Sequence, residues 1–132
     1  MTQLLTTPFG PQSTASEVVA GVDLTGRSAI VTGGAGGLGR ETARALASAG
    51  AEVTIAARTL EAGTAVAQEI AEETGNARTR GAQLDLADPA SVAAFVSDWT
   101  GPLHILVNNA GISLRPPWLS CRHDASNPGT RC

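Results

Sequence analysis

Five of the seven residues from 33 to 39 are glycine, and this run joins two segments of different periodicity. Residues 28–32 before it form a short apolar run, which is typical of a strand buried on both faces of a parallel sheet. After it, apolar residues recur at helical spacing until Gly50 ends the pattern, and the expected buried stripe of this helix is Leu38, Thr42, Ala45, Leu46 and Ala49. A buried strand, a glycine turn and a long helix in this order predict an α/β fold.

The alternation of strand and helix continues along the chain. Further strands are predicted at residues 52–57, 79–84 and 104–108, and helices after the caps Thr59 and Asp88. The expected buried stripes are Gly63, Val66, Ala67 and Ile70 in the first of these helices, and Val92, Phe95, Val96 and Trp99 in the second. Right-handed crossovers between parallel neighbours make this the N-terminal portion of a doubly wound, Rossmann-like parallel sheet, incomplete and with strand order 3-2-1-4.

Composition excludes several classes of function. The net charge of −3 argues against nucleic-acid and anionic-membrane partners, and no stretch approaches the about 18 apolar residues of a membrane span. Two late cysteines are not a disulfide framework, so a cytoplasmic location is expected. Four residues near the C-terminus could ligate zinc, but no metal site is predicted because their spacing fits no common site; they are Cys121, His123, Asp124 and Cys132.

The glycine run predicts a phosphate-binding turn. Glycine permits tight turns and lets the backbone approach a pyrophosphate, and the helix beyond offers free N–H groups and the positive end of its dipole. No Gly-Lys-Ser/Thr follows, which excludes a P-loop. A plain flexible turn is the simpler alternative. A class I methyltransferase is another, but it normally has an acidic residue where Ala57 ends the second strand.

Three motifs in order resemble those of the short-chain dehydrogenase/reductase family. The pattern Thr-Gly-x-x-x-Gly-x-Gly is formed by Thr32, Gly33, Gly37 and Gly39. Asp85-Leu86 follows the third strand, and Asn-Asn-Ala-Gly ends the fourth at residues 108–111. Residues 9–33 and 40–50 are most similar to the branch of retinol dehydrogenases and WW-domain oxidoreductases.

The resemblance implies a set of cofactor-binding residues, which are Gly33, Gly34, Ala35, Gly36, Gly37, Leu38, Gly39, Arg58, Asp85, Leu86, Asn109, Ala110 and Gly111. Within this set, the family pattern assigns close packing to Gly37 and Gly39, and adenine contacts to Asp85 and Leu86. It assigns a sheet-stabilising role to Asn108. Residues 109–111 are implied to run past the two riboses of the cofactor.

The end of the second strand distinguishes NADP from NAD. An acidic residue there would accept hydrogen bonds from both ribose hydroxyls and repel a 2′-phosphate. Instead Ala57 is followed by Arg58, whose guanidinium can make a forked contact with that phosphate. NADP is therefore the predicted cofactor, and a solvated arginine without a ligand is the alternative.

The catalytic residues of the family have no counterpart in this chain. The resemblance implies a Tyr, a Lys four residues later and an upstream Ser, which polarise a carbonyl and relay a proton. The chain contains no Tyr, and all nine of its basic residues are Arg. We therefore expect an oxidoreductase acting on an alcohol or carbonyl by family, inactive as this chain alone and with no catalytic residue assigned. A non-catalytic nucleotide-binding or regulatory fragment is the alternative.

Three regions follow from these patterns. Residues 1–26 are predicted to be an arm with one short helix, begun by the capping box of Thr14 and Glu17 and ending near Gly21. Residues 27–111 are predicted to be a truncated dinucleotide-binding domain. Residues 112–132 hold both cysteines and three prolines without periodicity, so an irregular tail is expected, with a shifted or truncated reading frame as the hypothesis.

An incomplete sheet is expected to leave apolar surface exposed. The fourth strand, around residues 105–107, would form an open edge, and part of the face formed by Ile30 and Val31 would contact water. Each large side chain left exposed forfeits about 1.5–3 kcal/mol. The sequence therefore predicts a marginally stable chain that associates through this edge, for example as a homo-oligomer.

Overall fold

The computed structural model describes residues 6–112. Four helices alternate with four strands in the order α1 (Ala15–Val18), β1 (Ser28–Thr32), α2 (Gly37–Ser48), β2 (Glu52–Ala57), α3 (Leu60–Thr74), β3 (Thr79–Gln83), α4 (Pro89–Asp98) and β4 (Ile105–Val107). All strand pairs in the sheet are parallel, and the strand order is β3-β2-β1-β4. The predicted α/β architecture and the order 3-2-1-4 are confirmed.

Local sequence signals fix most helix ends. Both halves of the predicted capping box form at α1, although this helix ends at Val18, earlier than expected. The Thr59 side chain accepts a hydrogen bond from the Ala62 N–H at the start of α3, and Gly75 ends that helix in the left-handed region at φ +70°. Asp88 caps α4, where Pro89 occupies the first turn.

The core lies on both faces of the sheet. On one face, α2 and α3 cover β1 and β2, and the fully buried cluster is Val31, Ala43, Ala47, Ala51, Val53, Ile55, Ala67 and Ile70. On the other face, α4 covers a smaller cluster of Ile30, Ala56 and Leu84. The expectation of a wet face at Ile30 and Val31 is wrong, because these side chains are 4% and 0% exposed beneath the helices.

Two residues assigned to buried helix stripes are exposed instead. Leu38 is 82% exposed because it lies in the first turn of α2, where the buried surface begins only at Gly39. Val96 is 65% exposed because α4 rests on the sheet through Val92, Phe95 and Trp99, at spacings of three and four residues. The inward face of α2 consists largely of alanine, which brings the helix close to the strands.

Two predicted strands are slightly longer than the observed ones. β3 ends one residue earlier than predicted, at Gln83, and β4 comprises only Ile105–Val107. His104 still donates its backbone N–H to the Ser28 carbonyl at 3.1 Å, so it continues the pairing of β4 with β1 beyond the strand itself.

Part of the sequence interpretation concerns residues outside the described range. The predicted tail, with the candidate zinc ligands Cys121, His123, Asp124 and Cys132, lies there apart from Ile112. Between residues 6 and 112, no helix is long and apolar enough to cross a membrane. The same residues contain no group of three or more side chains that could hold a metal ion.

Candidate functional site

Three glycines of the run are packed against the chain itself. Gly33 has a positive φ of +64°, and a Cβ there would lie 2.9 Å from the Cα of Ala110. A Cβ on Gly34 would lie 3.1 Å from the Cγ2 of Ile55. A Cβ on Gly39 would overlap the Asn109 amide and lie 2.6 Å from the Gly33 carbonyl oxygen. Glycine at these three positions therefore lets the turn lie directly on the strand ends.

The other two glycines of the run border open space. Among residues 6–112, no neighbouring atom would lie within 4 Å of a Cβ on Gly36 or Gly37. The expected packing role of Gly37 is therefore wrong, and its φ of +53° is the physical reason for glycine there. The backbone at these two residues is open to approach from outside.

This open backbone forms the N-terminus of α2, with Gly36 as the N-cap and Gly37 as the first helical residue. No side chain in the described part of the chain caps the helix, and its first turn contains no acidic residue. Arg40 donates its backbone N–H to the Gly36 carbonyl oxygen at 3.3 Å. The preceding N–H groups of the first turn, at the positive end of the helix dipole, can therefore hold an anion.

Thr32 and Asn109 join the glycine turn to the end of β4. The Thr32 hydroxyl accepts the N–H groups of Asn109 at 3.1 Å and Ala110 at 3.0 Å, and donates to the Val107 carbonyl at 3.3 Å. The Asn109 amide donates to the carbonyls of Thr32 at 3.0 Å and Gly33 at 3.2 Å. The stabilising asparagine is thus Asn109, whereas Asn108, to which sequence analysis gave this role, is exposed.

Asp85 and Leu86 lie in the connection between β3 and α4. The Asp85 carboxylate accepts the N–H of Ala87 at 2.9 Å, and the Asp85 N–H donates to the Ser91 hydroxyl at 2.9 Å. These bonds fix the connection and leave the second carboxylate oxygen available. The Leu86 side chain is 54% exposed.

Arg58 and Arg40 differ in their partners. Arg40 forms ion pairs with Glu73 at 2.7 Å and Glu69 at 3.2 Å on α3, and the hydrogen bonds that it donates to these carboxylates raise its pKa. Arg58 is exposed immediately after β2, and its guanidinium has no ion pair within residues 6–112. Of these two guanidiniums, Arg58 is therefore the one available to an incoming anion.

The candidate residues share one edge of the sheet, which we call the carboxyl edge because all four strands end there. The glycine run follows β1, Arg58 follows β2, Asp85 and Leu86 follow β3, and residues 109–111 follow β4. Direct contacts join the glycine run to Asn109 and Ala110. Gln83 also lies at this edge, and its side-chain amide donates to the Arg58 carbonyl at 3.2 Å. No sequence motif indicates this contact, because it depends on the pairing of β2 with β3.

Comparison with known proteins decides the family. The family model described as "short chain dehydrogenase" matches residues 27–127. The chain belongs to the short-chain dehydrogenase family. The resemblance inferred from the three sequence motifs is thereby confirmed.

Individual members of the short-chain dehydrogenase family agree. The chain is 57% identical over 95 residues to a probable oxidoreductase of Streptomyces antibioticus, covering 72% of this chain and 32% of that protein. It is 45% identical over 98 residues to retinol dehydrogenase 11 of Mus musculus, covering 72% and 31%. The chain therefore spans about a third of the length of these relatives.

Solved structures of the same family share the fold. The RhlG/NADP active-site complex of Pseudomonas aeruginosa aligns with a TM-score of 0.62 and 37% identity, over 70% of this chain and 36% of that one. A metagenomic short-chain oxidoreductase in complex with NADP aligns with a TM-score of 0.57 and 37% identity, over 67% and 41%.

Proposed function

We propose that the carboxyl edge binds NADP(H). The observation that carries this proposal is the N-terminus of α2, where the backbone at Gly36 and Gly37 is open and no side chain of the described residues caps the helix. A diphosphate is the anion that suits such a turn, since several backbone N–H groups and the helix dipole converge on it. The similar structures solved with NADP support the choice of a dinucleotide.

The described residues fit this cofactor. The two glycines bordering open space would admit the pyrophosphate, while Gly33, Gly34 and Gly39 keep the turn against the strands. The remaining candidates, Ala35, Leu38, Asp85, Leu86, Asn109, Ala110 and Gly111, would line the path of the adenosine and the nicotinamide ribose. When bound, NADP(H) supplies a nicotinamide ring that donates or accepts a hydride.

Arg58 supports NADP over NAD. A 2′-phosphate carries negative charge, and an unpaired guanidinium beside it forms charge-assisted hydrogen bonds that a ribose hydroxyl cannot match. No acidic residue ends β2, where Ala57 is 5% exposed, so nothing there would repel the phosphate.

By its family membership, we propose that this cofactor site serves hydride transfer between NADP(H) and an alcohol or carbonyl. The 132-residue chain contains no tyrosine, and its basic residues are all arginine. Consequently this chain by itself would bind the dinucleotide without turnover, as a non-catalytic nucleotide-binding unit. A second polypeptide or segment would have to supply the groups that transfer the proton.

Calorimetric titration of the 132-residue chain with NADPH and NADH tests the binding proposal. We expect NADPH to bind about tenfold or more tightly than NADH, and Arg58→Ala to remove this difference. Arg44→Ala is the matched control, because Arg44 pairs only with Glu41 among the described residues and should leave both affinities unchanged. Absence of NADPH binding, or equal affinity for both cofactors, contradicts the proposal.

The absence of turnover is tested separately. The purified chain with NADPH and a panel of aldehydes and ketones should show no consumption of NADPH above the rate without protein. Sustained oxidation that persists after repeated purification and scales with the chain's concentration contradicts this part of the proposal and leaves the binding result intact.

A further inference from the structure

We infer that Gln83 is a positioning residue that determines cofactor specificity, by holding the backbone of Arg58 where its side chain reaches the 2′-phosphate of NADP(H). The inference rests on the proposed function, because it concerns the same phosphate. Gln83 does not contact the phosphate in this proposal; it acts through Arg58.

The pairing of β3 with β2 brings the two residues together. Gln83 is the last residue of β3 and lies opposite Ala57, the last residue of β2. Leu84 donates its backbone N–H to the Ala57 carbonyl at 2.7 Å, and the Gln83 side-chain amide donates to the next carbonyl, that of Arg58, at 3.2 Å. The carbonyls of the last residue of β2 and of the residue after it are therefore bound by Leu84 and Gln83, at the end of β3.

The other side of Arg58 is fixed by α3. Thr59 is the N-cap of this helix: its hydroxyl accepts the Ala62 N–H at 3.4 Å, and its carbonyl accepts the Gly63 N–H at 3.3 Å. Arg58 is thus the single residue between β2 and the cap. Its carbonyl lies outside the helical ladder, and within residues 6–112 the Gln83 amide is the group that binds it.

A fixed backbone matters because the Arg58 side chain is long and unpaired among the described residues. Ordering a free arginine on a phosphate costs side-chain entropy, and a mobile Cα adds to that cost. Because the backbone is already held, less of the free energy of the charge-assisted contact is offset by ordering, and more of it contributes to the affinity. This gain in affinity exists only for a ligand that carries the 2′-phosphate, so it increases the preference for NADPH over NADH.

Glutamine is suited to this role by its chemistry. Its amide donates to a carbonyl without adding charge. A carboxylate at residue 83 would have no proton for the Arg58 carbonyl and would compete with the phosphate for the guanidinium. Leucine at residue 83 would have a side chain of similar size but no hydrogen-bond donor for the Arg58 carbonyl.

The experiment compares Gln83→Ala and Gln83→Leu with the unmodified full chain, alone and in the Arg58→Ala background. The probes are NADPH and NADH, together with 2′,5′-ADP and 5′-AMP, which differ at the 2′-phosphate without requiring the nicotinamide half of the site. We expect both variants to weaken NADPH and 2′,5′-ADP binding about three- to tenfold, and NADH and 5′-AMP binding by less than about twofold. In the Arg58→Ala background, the same substitutions should cause no further loss. Gln68→Ala, at an exposed position on α3, is the matched control and should leave all four affinities unchanged.

Four results overturn the inference and are distinguishable. Equal weakening of NADPH and NADH shows a general structural role for Gln83. A loss that persists in the Arg58→Ala background shows that Gln83 acts independently of Arg58. Unchanged NADPH preference in both Gln83 variants, with the preference lost in Arg58→Ala, refutes the positioning role while the proposed function stands. An unmodified chain that binds NADPH no more tightly than NADH refutes the proposed function and this inference together.

Discussion

At the scale of single residues, the hydroxyl of Thr32 uses its full hydrogen-bonding capacity. It accepts two backbone N–H groups from the segment after β4 and donates to the Val107 carbonyl. The side chain is 5% exposed, so water cannot readily replace these partners. One buried oxygen therefore connects the glycine turn with Asn109 and Ala110, which lie 77 and 78 positions further along the sequence.

Replacing Thr32 tests this connection. Thr32→Val is nearly isosteric but leaves the Ala110 N–H without its acceptor. It also removes one of the two acceptors of the Asn109 N–H, which keeps the Val107 carbonyl at 3.0 Å. We therefore expect the free energy of unfolding to fall by about 1–3 kcal/mol. Thr32→Ser keeps the hydroxyl and should recover most of the loss. Urea denaturation followed by circular dichroism measures both. Equal stability of the valine and serine variants would show that the hydroxyl is dispensable.

The two adjacent asparagines provide a second residue-scale prediction. Asn109→Asp places a carboxylate against the carbonyl oxygens of Thr32 and Gly33, which now accept N–H groups from the amide. We expect a loss of about 2–4 kcal/mol at neutral pH, because an ionised side chain then lacks donors in a partly buried place. Asn108→Asp, at an exposed position, is the control and should change stability by less than about 0.5 kcal/mol. A similar loss in both variants contradicts the assignment to Asn109.

At the scale of elements, the glycine run divides into residues that the fold needs and residues that a ligand needs. Gly39 is enclosed by Asn109 and by backbone of the turn, whereas Gly36 has extended backbone and open space around it. The start of α2 thus combines a packed inner side with an open outer side. Only the open outer side can contact a ligand while the packing of the turn stays unchanged.

Paired substitutions at this helix start separate folding from binding. Gly39→Ala should destabilise the chain by about 1–3 kcal/mol, because its Cβ meets backbone that cannot move aside. Gly36→Ala should cost less than about 1 kcal/mol of stability yet weaken NADPH binding about tenfold or more, because its methyl group occupies the proposed phosphate path. Thermal unfolding and calorimetric titration of both variants provide the readouts. Unimpaired binding by a folded Gly36→Ala chain would place the phosphates elsewhere.

The short helix α1 carries a pH-dependent cap. The Glu17 carboxylate accepts the backbone N–H and the hydroxyl of Thr14, and these bonds lower its pKa below the ordinary glutamate value of 4.5. A lowered pKa in the folded state means that the cap is intact at neutral pH and is lost as pH falls through that lowered value. The Thr14 amide resonance should therefore shift on acidification with a midpoint below 4.5, as followed by NMR. A midpoint at or above this value contradicts the capping box.

At the scale of the whole molecule, apolar exposure in the sheet concentrates at β4. This strand forms one end of the described sheet, and Leu106 on it is 52% exposed, whereas Ile30 opposite it on β1 is 4% exposed. An open strand edge with an exposed leucine is a template for pairing with another chain. We therefore predict that copies of the 132-residue chain associate at β4 and not at the β1 face.

Sedimentation velocity across a range of protein concentrations tests this association. We expect the mean sedimentation coefficient to rise with concentration, and Leu106→Lys to suppress the rise, because charge on an edge strand opposes strand pairing. Val96→Lys is the control, since Val96 is 65% exposed but lies on α4 and not on an edge strand, so its replacement should leave association unchanged. A single sedimentation coefficient at all concentrations contradicts the prediction.

The order of elements could be derived from the sequence, because periodicity and capping residues are properties of short segments. The strand order 3-2-1-4 followed from the doubly wound fold class that this alternation indicates. The glycine turn was found for the same reason, since it lies between two such segments. The exposure of Leu38 and Val96 could not be derived, because it depends on how far each helix extends over the sheet.

The sequence by itself therefore determined the fold class, the family motifs and the edge of the sheet where they gather. Tertiary structure alone decided which amide closes the turn and which side chain holds the Arg58 backbone. Neighbouring residues near a strand end point in different directions, so a difference of one position decides whether Asn108 or Asn109 reaches β1. Hydrogen bonds between residues 25 or 77 positions apart depend on strand register, which local sequence patterns do not encode.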